Sequence, residues 1–286
     1  MNTHIPSIFV SHGSPMIALD PREAGAFMQR LGPAIDATFG RPEAILSISA
    51  HTVAGTPTLL AADRHAAIHD FGNFDPRLNQ MRYDAPGAPG LAPLVAELLA
   101  RRGIALHATR EGGLDHGAWT ALRYMVPAAD IPVLPLAWSP MQGPAALFAL
   151  GEALAPLARE GVLVMASGSI THNLRRIFGV GGRVEADAPE SADVREFRDW
   201  IAARAQDRDW PALFDYRARA PHAVAMHPTD EHLLPWYVAA GAGGRNAAPV
   251  RLHDSVTYGV LGMDAYAFGE NAAALRAALG AEAVTV

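Results

Sequence analysis

The chain has 286 residues, of which 50% are hydrophobic and none is cysteine, and its formal net charge is −6. Without cysteine there is no disulfide and no thiolate ligand, so a metal would have to be bound by His, Asp, Glu or backbone oxygen. The negative charge, with Arg scattered among Asp and Glu, argues against a nucleic-acid-binding surface. No signal peptide or membrane-spanning stretch is recognisable, so we expect a cytoplasmic protein that does not bind membranes.

Short apolar runs predict five buried strands, and most of these runs are continuously apolar, as in a sheet covered on both faces. In chain order they are residues 7–10, 44–50, 132–138, 161–167 and 255–261, with weaker candidates at 57–61 and 104–108. Helical patterns lie between them, at residues 22–31, 90–103, 143–161, 190–206 and 228–241. The alternation predicts an α/β fold: one domain over residues 1–286, with a central, mostly parallel or mixed sheet flanked by helices.

Three histidines follow three of the predicted strands. His12 and His51 come directly after their strands, and His172 lies a few residues beyond its own. Ligands of open α/β sheets bind beyond the carboxyl ends of the strands, so the three imidazoles should meet at one edge. A single histidine at a strand end is more often structural, whereas three together favour a metal or ligand site.

A fourth group of polar residues lies in "MHPTDEHLLP", around the predicted start of the last helix, for which Thr229 is the expected N-cap. Asp230 and Glu231 would interact favourably with the helix dipole and need no further role. His232 should stay neutral there, because the dipole disfavours a cation, and a neutral imidazole can bind a metal. His227 lies close by in the chain.

Two glycine-containing loops, at residues 68–74 and 113–119, each combine a histidine with aspartate and aromatic residues. They contain His69, Asp115 and His116. Polar and aromatic loops of this kind often line substrate pockets, although they can equally be packed turns.

The ordered set of motifs resembles the class III extradiol ring-cleaving dioxygenases, and most closely the branch of the DOPA extradiol dioxygenases. The matching segments span nearly the whole chain: SHGSPM (11–16), SAH (49–51), IHDFGNF (68–74), GLDHGAW (113–119), ASGSITHNLR (167–175) and PTDEHLLP (228–235). The resemblance implies a mononuclear non-haem Fe(II) enzyme that uses O2 to open a catecholic, DOPA-like ring beside its two hydroxyls. Imidazoles also suit Zn(II), so purified protein can carry zinc that is not the working metal.

The resemblance also implies roles for the metal ligands and the proton-transfer residue. The family's metal ligands match His12, His51 and His232. Glu231 is the alternative third ligand, because many class III enzymes complete the site with a glutamate. The acid–base histidine matches His172, whose ordinary pKa near ~6.5 suits both taking and returning a proton.

Further positions are expected to form the substrate pocket. His116 matches a pocket histidine that contacts the substrate or oxygen, and we count it with the catalytic residues. His69, Asp115 and Asn173 are predicted to contact the substrate, and Asn173 can also orient His172.

From the residues alone, two other functions stay open. A zinc-dependent hydrolase could use the same histidines with Glu231 or Asp115 as its base. A non-catalytic metal-binding module is the other, and the presence of His172 counts against it. Residues 180–190 form a predicted surface loop that is long enough for a lid or an oligomer contact, so a homo-oligomer is among the expectations.

Overall fold

A mixed eight-stranded sheet forms the centre of the computed structural model, which describes residues 4–72, 74–178 and 184–282. The strands are β1 (Ser7–Ser11), β2 (Ala44–Ser49), β3 (Thr58–Leu60), β4 (Arg64–His65), β5 (Ala85–Pro86), β6 (His107–Thr109), β7 (Val133–Ala137), β8 (Val162–Gly168), β9 (Val250–His253), β10 (Val256–Thr257), β11 (Leu261–Gly262) and β12 (Ala265–Phe268). The large sheet has the order β6-β3-β7-β2-β8-β1-β12-β9, and β4-β5 and β10-β11 form separate pairs.

The four central strands of the sheet, β7, β2, β8 and β1, are all parallel. Every residue of these strands is buried, as expected for apolar runs that are covered on both faces. On either side, β3 and β12 run antiparallel to their inner neighbours. The carboxyl ends of the four central strands therefore meet at one edge of the sheet, as the sequence predicted.

Helices cover the sheet in two groups. The α-helices are α1 (Arg22–Phe39), α2 (Ala92–Ala100), α3 (His116–Met125), α4 (Pro144–Leu154), α5 (Arg175–Phe178), α6 (Ala192–Asp207), α7 (Trp210–Phe214), α8 (Tyr216–Arg219), α9 (Ala223–Met226), α10 (Leu234–Gly243) and α11 (Ala272–Glu282). Short 3₁₀ helices cover Pro15–Ala18, Pro76–Gln80, Pro89–Leu91 and Ala155–Glu160. Helix α1 packs against α3 and α11, whereas α10 packs against α4 and the central strands.

The contact between α4 and α10 is close because of two glycines. A Cβ atom at Gly151 would collide with the Val238 carbonyl oxygen, and one at Gly241 would collide with that of Phe148. Helix α10 is buried along almost its whole length, which explains why it is apolar on all sides. This packing fixes α10, and with it the turn that precedes it, against the end of β8.

Several predicted elements differ from the observed ones. Residues 255–261 do not form a strand of the large sheet, and the prediction was wrong. They lie in the β10–β11 hairpin, where Tyr258 and Gly259 have positive φ angles of 57° and 64° and reverse the chain. The last predicted helix begins at Leu234, so Thr229 is not its N-cap.

Other differences are omissions. Helix α3 and strands β9 and β12 were not predicted, although β12 pairs directly with β1. Residues 180–183 of the predicted surface loop lie outside the described residues. Within the described residues, no helix is both long and apolar enough to cross a membrane.

Candidate metal centre and active site

Histidines from different parts of the chain converge at the carboxyl edge of the central strands. His12 follows β1 and His51 follows β2, and their Nε2 atoms lie 3.2 Å apart. The ring of His232, from the turn before α10, is centred 5.4 Å from that of His12 and 4.9 Å from that of His51. The sequence prediction that these side chains come together is therefore consistent with the structure.

Two further imidazoles complete the cluster. The ring of His116, at the start of α3, is centred 3.9 Å from that of His51. His172 stacks on His232, with ring centres 3.3 Å apart and an angle of 9° between the planes. Among the described residues, two sets of donor atoms lie within 4.8 Å of one another and could hold a metal ion: His12, His51 and His116, and His172, Glu231 and His232.

The tautomer of His12 is set by a hydrogen-bonded chain. The Ser167 hydroxyl donates to the Gly117 carbonyl oxygen at 2.6 Å. It therefore accepts from Nδ1–H of His12, which lies 2.8 Å away. A neutral His12 with its proton on Nδ1 has a free lone pair on Nε2, the atom that faces His51. Such supporting contacts commonly orient metal-binding histidines.

His232 is buried, and its Nε2 atom has no hydrogen-bond partner among the described residues. Its Nδ1 atom lies 3.2 Å from Oε1 of Glu231, which also accepts from the Thr229 hydroxyl at 2.9 Å. Buried polar atoms are nearly always paired, so an unpaired imidazole nitrogen suggests a ligand atom. Of the two alternatives for the third ligand, Glu231 is already engaged with two protein groups.

Asp115 and His116 are adjacent in the chain but make different contacts. The Asp115 carboxylate caps α3 by accepting from Ala118 N, and it also accepts from the hydroxyls of Ser49 and Thr52. These bonds tie α3 to the end of β2. A substrate contact by Asp115 stays a prediction.

His116 is held by Asp70, an aspartate of the loop at 68–74 for which no role was predicted. Its Nδ1–H donates to Asp70 Oδ1 at 2.8 Å, and its backbone N–H donates to the same oxygen at 3.0 Å. Burial acts to raise the pKa of Asp70, but the hydrogen bonds and charge of His116 outweigh burial and lower it. The ionised carboxylate orients His116 with Nε2 towards the cluster.

The remaining predicted residues lie around the same edge. The Nε2 atom of His69 lies 3.1 Å from the Met81 carbonyl oxygen, and the ring of His69 makes edge contacts with Phe71 and Trp119. Asn173 donates its side-chain amide to the Ala225 carbonyl oxygen at 2.8 Å. This bond fixes the loop after β8, while substrate contacts by His69 and Asn173 stay predictions.

Burial favours the neutral form of four of the clustered imidazoles. Desolvation, followed by repulsion from neighbouring histidines, lowers the pKa values of His12 and His232 well below 6.5. The same causes lower the pKa of His51 to about 4 and that of His172 to about 3. The expected neutrality of His232 is therefore explained by burial, since α10 begins two residues later and its dipole is not the cause.

Two of the three proposed donors have the spacing that a bound metal ion requires. Two nitrogens that bind one metal at about 2.1 Å with an angle near 90–110° lie roughly 3.0–3.4 Å apart, and Nε2 of His12 and His51 are separated by 3.2 Å. The unpaired Nε2 of His232 supplies a third donor. Three neutral imidazoles suit Fe(II) and Zn(II) alike.

A cavity of about 340 Å³ adjoins this centre, and His12 forms part of its wall. Its size falls in the range of about 300–1,000 Å³ that is typical of small-molecule sites. The wall includes Ser14, Thr257 and Tyr258, together with charged residues at the surface. Ser14, Thr257 and Tyr258 were not predicted from the sequence to line the pocket.

The chain matches a family model and several curated proteins over most of its length. The family is described as the catalytic LigB subunit of aromatic ring-opening dioxygenase, and the match covers residues 1–269. A 4,5-DOPA dioxygenase extradiol of Beta vulgaris is 36% identical over 264 residues, which cover 92% of this chain and 96% of the relative. The protein of the same description from Escherichia coli K12 is 33% identical over 246 residues, covering 84% and 86%. A crystal structure of an uncharacterized Escherichia coli K12 protein superposes with a TM-score of 0.75 at 28% identity, covering 93% of this chain and all of that one.

Proposed function

Because the chain belongs to the LigB family and is an extradiol aromatic ring-opening dioxygenase, we propose that it acts on a DOPA-like catechol with Fe(II) as its working metal. The observation that carries the proposal is the convergence of His12, His51 and His232, with two Nε2 atoms 3.2 Å apart and the third unpaired. The names of the relatives support the substrate class. A cytoplasmic location and a homo-oligomer stay predictions.

His12, His51 and His232 would hold the metal. The hydrogen bond from His12 to Ser167 and the contact between His232 and Glu231 would keep these two rings oriented before the metal binds. When bound, Fe(II) would acidify the catechol hydroxyls and supply the electron chemistry that a reaction with O2 requires.

His172 would move the proton. Its pKa is lowered to about 3 by desolvation and by neighbouring histidines, so the ring is unprotonated but is a weaker base than the ordinary pKa near ~6.5 implies. It would accept a proton from a catechol hydroxyl only where that hydroxyl has been acidified. The same surroundings disfavour the protonated ring, so it would return that proton readily. Stacking on His232 holds the ring beside the proposed metal ligand without using its nitrogens.

His116 would contact the substrate from the opposite side of the cluster. Asp70 holds its Nδ1–H, which leaves Nε2 free to accept a hydrogen bond from the substrate. The ring of Phe71 meets that of His116 edge-on at 5.6 Å and shields this side from water. Asp115 would act through α3 by keeping His116 in position.

The zinc-hydrolase alternative finds less support. It needs a carboxylate that is free to act as a base. Asp115 accepts three hydrogen bonds from protein groups, and Oε1 of Glu231 is held by Thr229 and His232. The family membership of the chain favours ring opening over hydrolysis as well.

The test of this proposal is anaerobic reconstitution with Fe(II), followed by exposure to air in the presence of a panel of catechols. We expect O2 uptake and a yellow ring-opened product from DOPA with the iron-loaded protein, and neither with the zinc-loaded protein. Iron-loaded protein that takes up no O2 with any catechol would contradict the proposal.

The third ligand is tested by replacing Glu231 and His232 separately with Gln. We expect metal analysis to find the metal lost from His232→Gln and retained by Glu231→Gln, since only the first change removes a donor. If Glu231→Gln lost the metal and His232→Gln kept it, Glu231 would be the third ligand in place of His232.

A further inference from the structure

The cavity beside His12 has a wall of unpaired hydroxyl groups. Ser14 and Tyr258 are each only 5% exposed and line this cavity, as does Thr257. The hydroxyls of these three residues make no hydrogen bond to any other described residue. Hydroxyls that face a cavity and have no protein partner are suited to bind a polar ligand.

The backbone of the cavity wall is strained at two places. Arg22 and Tyr258 both line the cavity and have φ angles of 44° and 57°, in the left-handed region that side chains other than glycine rarely adopt. The backbone N–H of Tyr258 donates to the Ala186 carbonyl oxygen at 2.9 Å, which joins two segments of the wall. Strain of this kind is often found at ligand sites.

The charged residues of the cavity wall differ in whether they form ion pairs. Asp20 accepts from Nε of Arg22 at 3.0 Å, so these two charges largely satisfy each other. Glu185 also lines the cavity, but its carboxylate makes no ion pair with another described residue. Among the described residues, Glu185 is therefore the acid of this wall whose negative charge is not compensated by an ion pair.

A catechol bound at the imidazole cluster would direct a ring substituent into this cavity, because His12 belongs to both. We propose that the cavity receives the ring substituent and that Glu185 selects substituents with an ammonium group over those with only a carboxylate. The free hydroxyls of Ser14, Thr257 and Tyr258 would hydrogen-bond the polar end of the substituent. This inference rests on the proposed function and deepens it.

The test compares three catechols that differ in their substituent: dopamine, L-DOPA and 3-(3,4-dihydroxyphenyl)propionate. Binding is measured by anaerobic calorimetry with zinc-loaded protein, and kcat/KM by O2 uptake with iron-loaded protein. We expect wild type to prefer dopamine and L-DOPA to the propionate. Glu185→Gln should lower the ratio of dopamine to propionate affinity by about two- to fivefold, the range for a partly exposed ion pair.

Glu185→Lys should lower the same ratio further, because repulsion of the ammonium replaces attraction. Asp187→Asn is the matched control, since Asp187 is an exposed acid two residues away that does not line the cavity. We expect this control to keep the wild-type ratio. Catechols that bind and react with ratios unaffected by either Glu185 variant would overturn the inference alone, whereas failure of every catechol to bind would overturn the proposed function with it.

Discussion

The imidazole cluster and the wall of the adjoining cavity are built in opposite ways. His12 and His232 are buried and neutral, and their backbones are bonded to β8 at the centre of the sheet. The cavity wall consists of loops and a short hairpin, and it carries exposed charged residues such as Glu185. The contrast suggests that the chemistry depends on rigid strand ends, whereas selectivity depends on side chains that can change without disturbing the sheet.

A buried cluster of charged residues packs against the β10–β11 hairpin, which forms part of the cavity wall. Arg198 is 4% exposed, and its Nε atom donates to Asp264, which is fully buried, at 2.8 Å. Arg198 also contacts Glu190 and Asp254, so it connects the segment before α6 with the chain on both sides of the hairpin. Buried charge thus stabilises the wall, and exposed charge faces the cavity.

The largest effect should follow the loss of a proposed metal ligand. His12→Ala and His51→Ala should each abolish metal binding and activity together. The loss of metal affinity should exceed ~100-fold, the upper end of the range for losing a contact that only supports a metal ligand. Metal content and O2 uptake are measured on the same samples. His107→Ala, at an exposed position on β6, is the control that should keep both. Full metal content in His12→Ala would show that His12 is not a metal ligand, and the distinction between a metal-binding cluster and a substrate-binding wall would then fail.

His172→Phe should separate proton transfer from metal binding within the cluster. Phenylalanine can keep the stacking on His232 but has no nitrogen, so metal content should remain while kcat falls roughly 10²–10⁴-fold. Both are measured after anaerobic reconstitution. If the variant lost its metal, His172 would have to be counted among the ligands.

Arg198→Lys should affect the wall and spare the cluster. Lysine keeps the charge but cannot reach several carboxylates at once, and each charge-assisted hydrogen bond contributes about 1.5–3 kcal/mol. We expect a lower free energy of unfolding in urea, a higher KM for L-DOPA and unchanged metal content. Arg41→Lys, at an exposed pair, should change the unfolding free energy by less than about 1 kcal/mol. Loss of metal from Arg198→Lys would show that the two regions are not independent.

The smallest expected effect is on the pH dependence of stability and concerns His227. This residue is buried, and its Nε2 atom lies 2.7 Å from the Ile170 carbonyl oxygen. Burial lowers its pKa from 6.5 to about 4, with the hydrogen bond to Ile170 opposing the shift. As the pH falls from 7 to 5, the unfolded chain binds a proton at this histidine and the folded chain does not, so stability is lost. The loss over this window is about 2 kcal/mol.

His227→Gln tests this assignment. Glutamine can donate to the same carbonyl oxygen but does not titrate, so the variant should lose about 2 kcal/mol less stability than wild type between pH 7 and pH 5. Urea unfolding of both metal-free proteins at the two pH values measures the difference. Parallel pH profiles would show that His227 does not contribute.

The sequence predicted the parts of the fold that depend on local pattern. Continuous apolar runs located the four central strands, and the rule for strand ends brought His12, His51 and His172 to one edge. Strand β12 was missed because it has only four residues and follows Asp264, a buried aspartate whose partners Arg198 and Arg251 lie elsewhere in the chain. The hairpin at 255–261 was mistaken for a strand because its apolar pattern conceals a turn.

Within the site, the histidines were found but not the groups that orient them. Ser167 contacts His12 across 155 positions of the chain, and Asp70 contacts His116 across 46. Contacts of this range leave no periodic signal in the sequence. The cavity wall was missed for a similar reason, since its segments come from three separate parts of the chain.

The end of β8 also has a consequence for how the molecule opens. Gly168 O accepts from His12 N and Ser169 N donates to His232 O, both at 2.9 Å, and a side chain at Gly168 would collide with the His232 carbonyl oxygen. The imidazole cluster can therefore come apart only when the central strands separate, whereas the hairpin beside the cavity is held by contacts between loops, such as the bond from Tyr258 N to Ala186 O. Amide hydrogens near His12 should exchange with solvent as slowly as those of the core, and those around Tyr258 should exchange much sooner. The sheet would thus keep the imidazoles in place while the loops around the cavity move.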